Sequence, residues 1–297
     1  MFNSLRQHIR ATGRPLVAAA RRMLTSREPE AILQHVQILS GPAFGLTIQL
    51  PVPSELADKI CNNLYEPHCT EVCQLLIRPQ DICFDVGAHY GYYTLLLSKL
   101  ASDGQVHSFE PVPRLAVSIR ESIRVSKLTN AAVNQVALSQ VSGERILRYA
   151  VHDASDDSMN FLVEHGGVSS ERSESQYGNF EECKVECRSL DELDLPAPNF
   201  IKMDVEGAEA AVLKGAQTLL AAARPRILIE LHGVDLALQV SCCLTALGYV
   251  AMPIGPRGLV MPVLFVHRSD NEALDIMHRR FGKDHLYQQY REHRTGI

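Results

Sequence analysis

Asp81-Ile-Cys-Phe-Asp-Val-Gly-Ala-His-Tyr-Gly-Tyr-Tyr-Thr94 is the stretch that decides the fold. A short apolar run, Ile82–Val86, enters an Asp-x-Gly-x-x-x-Gly turn, and a helical pattern starts at once from Tyr92. Glycine carries no Cβ, so Gly87 and Gly91 let the backbone of such a turn lie close against a ligand. The helix that follows offers unpaired N–H groups to a carboxylate or phosphate. A second apolar strand, Gln105-Val-His-Ser-Phe-Glu110, then ends in a carboxylate. An acid at the tip of the strand after a glycine turn is placed to bind a ribose diol. The spacing is not Gly-x-Gly-x-x-Gly, which weighs against a nicotinamide dinucleotide. It fits better an adenosyl cofactor that carries an amino acid in place of a diphosphate, namely S-adenosylmethionine (SAM).

Working outward, the region from Asp81 to about Arg268 alternates strand and helix. Strands are predicted over Ile82–Val86, Gln105–Glu110, Ala132–Leu138, Phe200–Asp204, Arg226–Leu231, Tyr249–Pro253 and Val263–His267. Most are continuous apolar runs, as expected where helices cover both faces of a sheet. Helices are predicted over Tyr92–Ala101, Arg114–Val125, Ala208–Ala223 and Leu236–Leu247. This rhythm implies an α/β fold with a doubly wound, mostly parallel sheet. The last two strands, joined across Gly255-Pro-Arg-Gly258, form an antiparallel edge hairpin. Ligands on such sheets bind beyond the carboxyl ends of the strands.

Three further regions surround this core. Residues 1–80 read as a cap, helical over 1–40, extended over 41–53, then helical over Glu55–Leu64 and Glu71–Ile77. Glu144–Val151 and Lys184–Arg188 flank a polar insert, residues 152–182, with eight acids against one arginine. That insert reads as a solvated loop or as a lid over the acceptor site. Residues 269–297 form a charged tail of helical period.

Bulk composition bounds the rest. The chain has 297 residues, 46% of them hydrophobic, and a net charge of −5, which gives no sign of nucleic-acid binding. No run approaches the roughly 20 apolar residues of a membrane span, so a cytoplasmic location is expected. The alternative is an organelle or membrane surface reached through residues 1–27, which hold six arginines and no acid. None of the eight cysteines has Cys-x-x-Cys spacing, and they are expected to be free thiols used as small hydrophobes.

The chemistry is expected at two strand tips. In Phe200-Ile-Lys-Met-Asp-Val-Glu-Gly-Ala-Glu209, period two puts Lys202 and Asp204 on one side of the strand, with Glu206 nearby. Glu230 and His232 repeat the pattern at the end of the next strand. Ionisable groups at the mouth of an apolar strand are costly unless paired, hydrated or bound to a ligand. His232 or Asp204 could take a proton from a hydroxyl nucleophile. Asp204, Glu206, Glu230 and His232 could equally hold a divalent cation, and the sequence leaves the metal open.

The chain resembles the FkbM-type family of SAM-dependent methyltransferases. The likeness rests on Asp85–Thr94, Phe109-Glu-Pro-Val-Pro113, Ser189-Leu-Asp-Glu-Leu193, Ile201–Glu209, Val212-Leu-Lys-Gly-Ala216 and Glu230-Leu-His232, in the family's order over roughly residues 60–235. It implies the class I (Rossmann-like) methyltransferase fold and methylation of a hydroxyl oxygen on a small-molecule or glycan acceptor. It further implies that Asp85, Gly87, Ala88, His89, Tyr90 and Gly91 form the methionine-side turn. Glu110 would bind the ribose and Ser139 would stand near the adenine. Asp204, Glu206 and His232 would face the reacting methyl, with Lys202 and Glu230 as further catalytic candidates. His89 stands where the family commonly has asparagine, as do Ser122 and Ser126 on a nearby helix. The alternatives are a non-enzymatic SAM-binding scaffold and a methyltransferase acting on protein or nucleic acid. Oligomeric state is not legible.

Overall fold

The computed structural model describes residues 32–150, 160–162, 180–255 and 260–281. The arginine-rich segment, most of the acidic insert, the turn after Gly255 and the end of the tail lie outside the described residues. Strand β1 (Ile32–Gln37) pairs antiparallel with β2 (Thr47–Val52). Helices α1 (Glu55–Cys61) and α2 (Pro67–Leu76) lead to β3 (Ile82–Val86). There follow α3 (Tyr92–Leu100), β4 (Gln105–Phe109), α4 (Pro113–Val125) and β5 (Ala131–Asn134). Next come β6 (Ala137–Leu138), β7 (Gly143–Ala150), β8 (Asn160–Leu162), β9 (Phe180–Arg188) and β10 (Phe200–Met203). Helices α5 (Glu209–Lys214) and α6 (Gln217–Ala223), β11 (Arg226–His232), α7 (Val234–Ala246), β12 (Tyr249–Pro253), β13 (Val260–His267) and α8 (Asn271–Phe281) complete the order.

The central sheet runs β12-β13-β11-β10-β3-β4-β5. Five strands, from β11 to β5, are parallel, and β13 and β12 add an antiparallel edge. Successive residues of each strand serve opposite faces. Cys83, Val106, Phe200, Leu228, Leu264 and Val266 join one buried cluster. Phe84, Ile201, Ile227, Ile229, Val263 and Phe265 join the other. This is the doubly wound Rossmann-like arrangement expected of the apolar runs. Strand order reverses between β3 and β10, which opens a crevice at their carboxyl ends.

Several expectations need correction. Residues 32–37 are a strand where the sequence reads as helix, because β2 supplies a partner in register from Ile32↔Val52 to Gln37↔Thr47. The predicted strand 132–138 is two pieces, β5 in the central sheet and β6 beside β9 in a four-stranded sheet. That second sheet draws residues 160–162 of the insert into strand β8. The predicted helix 208–223 breaks into α5 and α6 at Gly215, where a Cβ would stand 2.2 Å from the Ser139 carbonyl oxygen. Helix α2 begins four residues earlier than predicted, with Pro67 in its first turn, where a missing N–H costs nothing.

Ser122 and Ser126 have a use that their sequence positions do not reveal. One helical turn apart on α4, they face the open edge of β2. The Gln49 amide donates to Ser122 Oγ and the Thr47 amide to Ser126 Oγ, each at 2.9 Å. Ser126 Oγ donates in turn to the Thr47 carbonyl at 2.7 Å. The hydroxyls thus replace the strand that β2 lacks on this side. Removing one leaves a backbone N–H unpaired, so Ser122→Ala is expected to lower the unfolding free energy by about 1–3 kcal/mol. Urea denaturation of the single and double alanine variants measures this. A change within about 0.5 kcal/mol would assign the serines no structural weight.

Candidate active site

The glycine turn forms because β3 leaves the sheet directly beside β10. Gly87 has φ +82°, and a Cβ there would meet the Asp204 carbonyl oxygen at 1.7 Å. The Asp204 amide donates to the Val86 carbonyl at 2.9 Å, so the two strands stay joined to their tips. Gly91, at φ +87°, caps the N-terminus of α3. A cavity of about 500 Å³ opens over these tips. Asp85, Gly87, Ala88, His89, Tyr90 and Glu110 line one part, and Lys202, Asp204, Glu206, Glu230 and His232 line another. Every expected site residue thus borders one cavity except Gly91 and Ser139. Ser139 is turned away, its amide bonded to the Arg188 carbonyl and its own carbonyl packed on Gly215. Val136, Ala137 and Leu138 form that stretch of wall instead.

At the glycine-turn end, Glu110 is buried and accepts the amide N–H groups of His89 and Val112, each at 2.8 Å. Burial outweighs those two bonds and pushes its carboxyl up to about 7. Asp85 accepts the Thr94 hydroxyl at 2.6 Å, and burial pushes it up to about 6 against that bond and Lys202. Burial likewise holds the His89 imidazole down at about 4, so this ring is neutral at physiological pH. Its left-handed backbone, φ +52°, helps aim its amide at Glu110.

The opposite end concentrates charge. Lys202 is buried, with Nζ 3.6 Å from Glu66, 4.0 Å from Asp204 and 4.8 Å from the centre of the Tyr93 ring. Burial alone would lower its pKa, but Glu66, Asp204 and Glu230 outweigh it and hold the ammonium well above its ordinary value. His232 places Nδ1 2.7 Å from Glu209 and Nε2 3.4 Å from Glu206 and 3.7 Å from Asp204. Burial opposes its charge, yet the Glu209 hydrogen bond and the neighbouring acids raise it to about 10. Asp204 is lowered, since Lys202 and His232 overcome its burial, while burial and Asp204 raise Glu230 to about 9. Among the described residues Asp204 Oδ1 is buried without a hydrogen-bond partner.

Two acids with no role legible in the sequence complete the cluster. Glu209 is fully buried and binds His232 as well as the Gly207 amide at 3.1 Å. In sequence it reads as an ordinary first-turn acid of a helix. Glu66 caps α2 in a left-handed conformation and accepts the Tyr93 hydroxyl at 2.7 Å. Nothing in the Glu66-Pro67 step signals that use. Asp204, Glu206 and His232 form one group that could hold a metal ion, and Glu66, Asp204 and Glu230 form a second.

A family model described as the methyltransferase FkbM domain matches residues 85–251, more than half of the chain. The 31-O-demethyl-FK506 methyltransferase FkbM of Streptomyces tacrolimicus is 27% identical over 199 residues, 59% of this chain and 76% of that protein. The 2-O-methyltransferase NoeI of Sinorhizobium fredii (strain NBRC 101917 / NGR234) is 28% identical over 159 residues, 52% of this chain and 65% of that protein. The crystal structure of methyltransferase FkbM from Methylobacillus flagellatus KT superposes with a TM-score of 0.46 at 16% identity, over 64% of this chain and 44% of that one. The family match runs from the glycine turn through both charged strand tips to the edge strand β12, and the chain belongs to the FkbM family of SAM-dependent methyltransferases.

Proposed function

We propose that this protein methylates a hydroxyl oxygen of a small-molecule or glycan acceptor. One observation carries the reading: a single cavity has a glycine turn with a buried ribose-type acid at one end and, at the other, a carboxylate oxygen, Asp204 Oδ1, with no hydrogen-bond partner among the described residues. Both curated relatives are named as O-methyltransferases, which supports oxygen as the acceptor atom.

The residues suit SAM. Glu110 would accept the ribose hydroxyls, the backbone of Gly87 and Ala88 allows close approach, and Asp85 suits a positively charged amino group. Val136–Leu138 offer an apolar wall to the adenine. When bound, SAM supplies a methyl group made electrophilic by its positively charged sulfur. The protein's task is then to orient the acceptor and exclude water. Leu56, Ile60, Leu64, Tyr65 and Val260 line the remaining wall and would pack on the acceptor's apolar surface.

Asp204 takes the acceptor's proton. A hydroxyl becomes strongly acidic only as its oxygen forms the new C–O bond, so a carboxylate of ordinary or weak basicity is sufficient. Lys202 and Glu230 hold Asp204 in place, and Glu209 fixes the orientation of His232. These are positioning roles around one acceptor oxygen.

Two outcomes test this reading. With labelled SAM and a panel of hydroxylated acceptors, wild type is expected to transfer the methyl to oxygen. Asp204→Asn is expected to bind SAM normally by calorimetry and to lose about 10²–10³-fold in turnover. Binding of NAD in place of SAM, or undiminished turnover by the variant, would sink it.

The second outcome concerns pH. A diol donates to an ionised carboxylate, and free Glu110 titrates at about 7. Below that value binding must first remove a proton, so SAM affinity should rise with pH by up to about tenfold per unit and level off above it. Calorimetry between about pH 5.5 and 7.5 reads this slope. Glu110→Gln should bind more weakly and lose the slope between about pH 6 and 7, keeping only what Asp85, at about 6, contributes below that range.

A further inference from the structure

We infer that the acceptor end of the cavity is a divalent-cation site formed by Asp204, Glu206 and His232. The inference rests on the methyltransferase reading for what the cation does, not for where it binds. The three ligand atoms lie within 4.8 Å of one another. His232 Nε2 stands 3.4 Å from Glu206 Oε2 and 3.7 Å from Asp204 Oδ1. Both separations are long for hydrogen bonds. Ligand atoms about 2.1 Å from a shared ion stand roughly 3.0–3.4 Å apart, so closure of a few tenths of an ångström would bring His232 Nε2 into range with each of the two acids.

Two independent features point to a ligand here. The first is Asp204 Oδ1, buried and without a hydrogen-bond partner among the described residues, on the side facing His232. The second is the support behind the imidazole. Glu209, itself fully buried, engages Nδ1 at 2.7 Å and so presents Nε2 to the two acids. A carboxylate behind a histidine is the usual support of a metal-binding imidazole. Two carboxylates and one imidazole, with no thiolate, suit Mg²⁺ or Mn²⁺. Three protein ligands leave positions for an acceptor hydroxyl.

Mn²⁺ is the probe, followed by electron paramagnetic resonance of the free ion as protein is added. Wild type is expected to bind one Mn²⁺, and Glu206→Gln and His232→Asn are each expected to weaken it at least tenfold. Glu121→Gln, an acid paired with Arg124 and outside the cluster, should bind within about threefold of wild type. Calorimetry with SAM on the same samples reports folding and the cofactor end separately. Intact SAM binding with no Mn²⁺ uptake at millimolar concentration overturns the cation site and leaves the methyltransferase reading standing. So does Mn²⁺ uptake that neither triad variant weakens.

Discussion

The molecule turns on the contact between Gly87 and the backbone of Asp204. Two strands that part company at their tips must lie within a peptide's width of each other, and any side chain at position 87 would force them apart. That contact sits where strand order reverses, so it joins the glycine turn to the strand end that carries the charges. Without it the cavity would be two separate clefts. With it, the glycine turn after β3 and the charged tips of β10 and β11 line one cavity.

Charge is what makes the second half of that space functional. An isolated ammonium as deeply buried as Lys202 would be prohibitively costly. It survives because Glu66, Asp204 and Glu230 surround it and the Tyr93 ring lies beside it. Asp204 is shared with His232, whose charge is held by Glu209, Glu206 and Asp204. The cluster is therefore one object, in which no member can be altered without moving the others.

What was legible in the sequence follows from how local each signal is. The Asp-x-Gly-x-x-x-Gly turn and the period-two charges from Lys202 to Glu206 are written within a few residues, and they name the cavity walls directly. The parallel strands were legible because both their faces are apolar. Glu66 and Glu209 were not, since each acquires its role from a partner on another element, Lys202 in one case and His232 in the other. Strand β1 escaped for the same reason: exposed along most of its length, it is a strand only because β2 pairs with it. Ser139 does not border the cavity: the chain enters the second sheet at Ala137, and Ala137 and Leu138 line the wall while the next residue does not.

The cavity wall also has two origins in the chain. The donor side is built from strand tips that the core cannot spare. Leu56, Lys59, Ile60, Leu64 and Tyr65 come from α1 and the turn after it, ahead of the first core strand. Mutational drift in that short helix can reshape the outer wall while the sheet and its glycine turn remain intact. A lineage carrying this architecture can therefore change its clientele without relearning its chemistry.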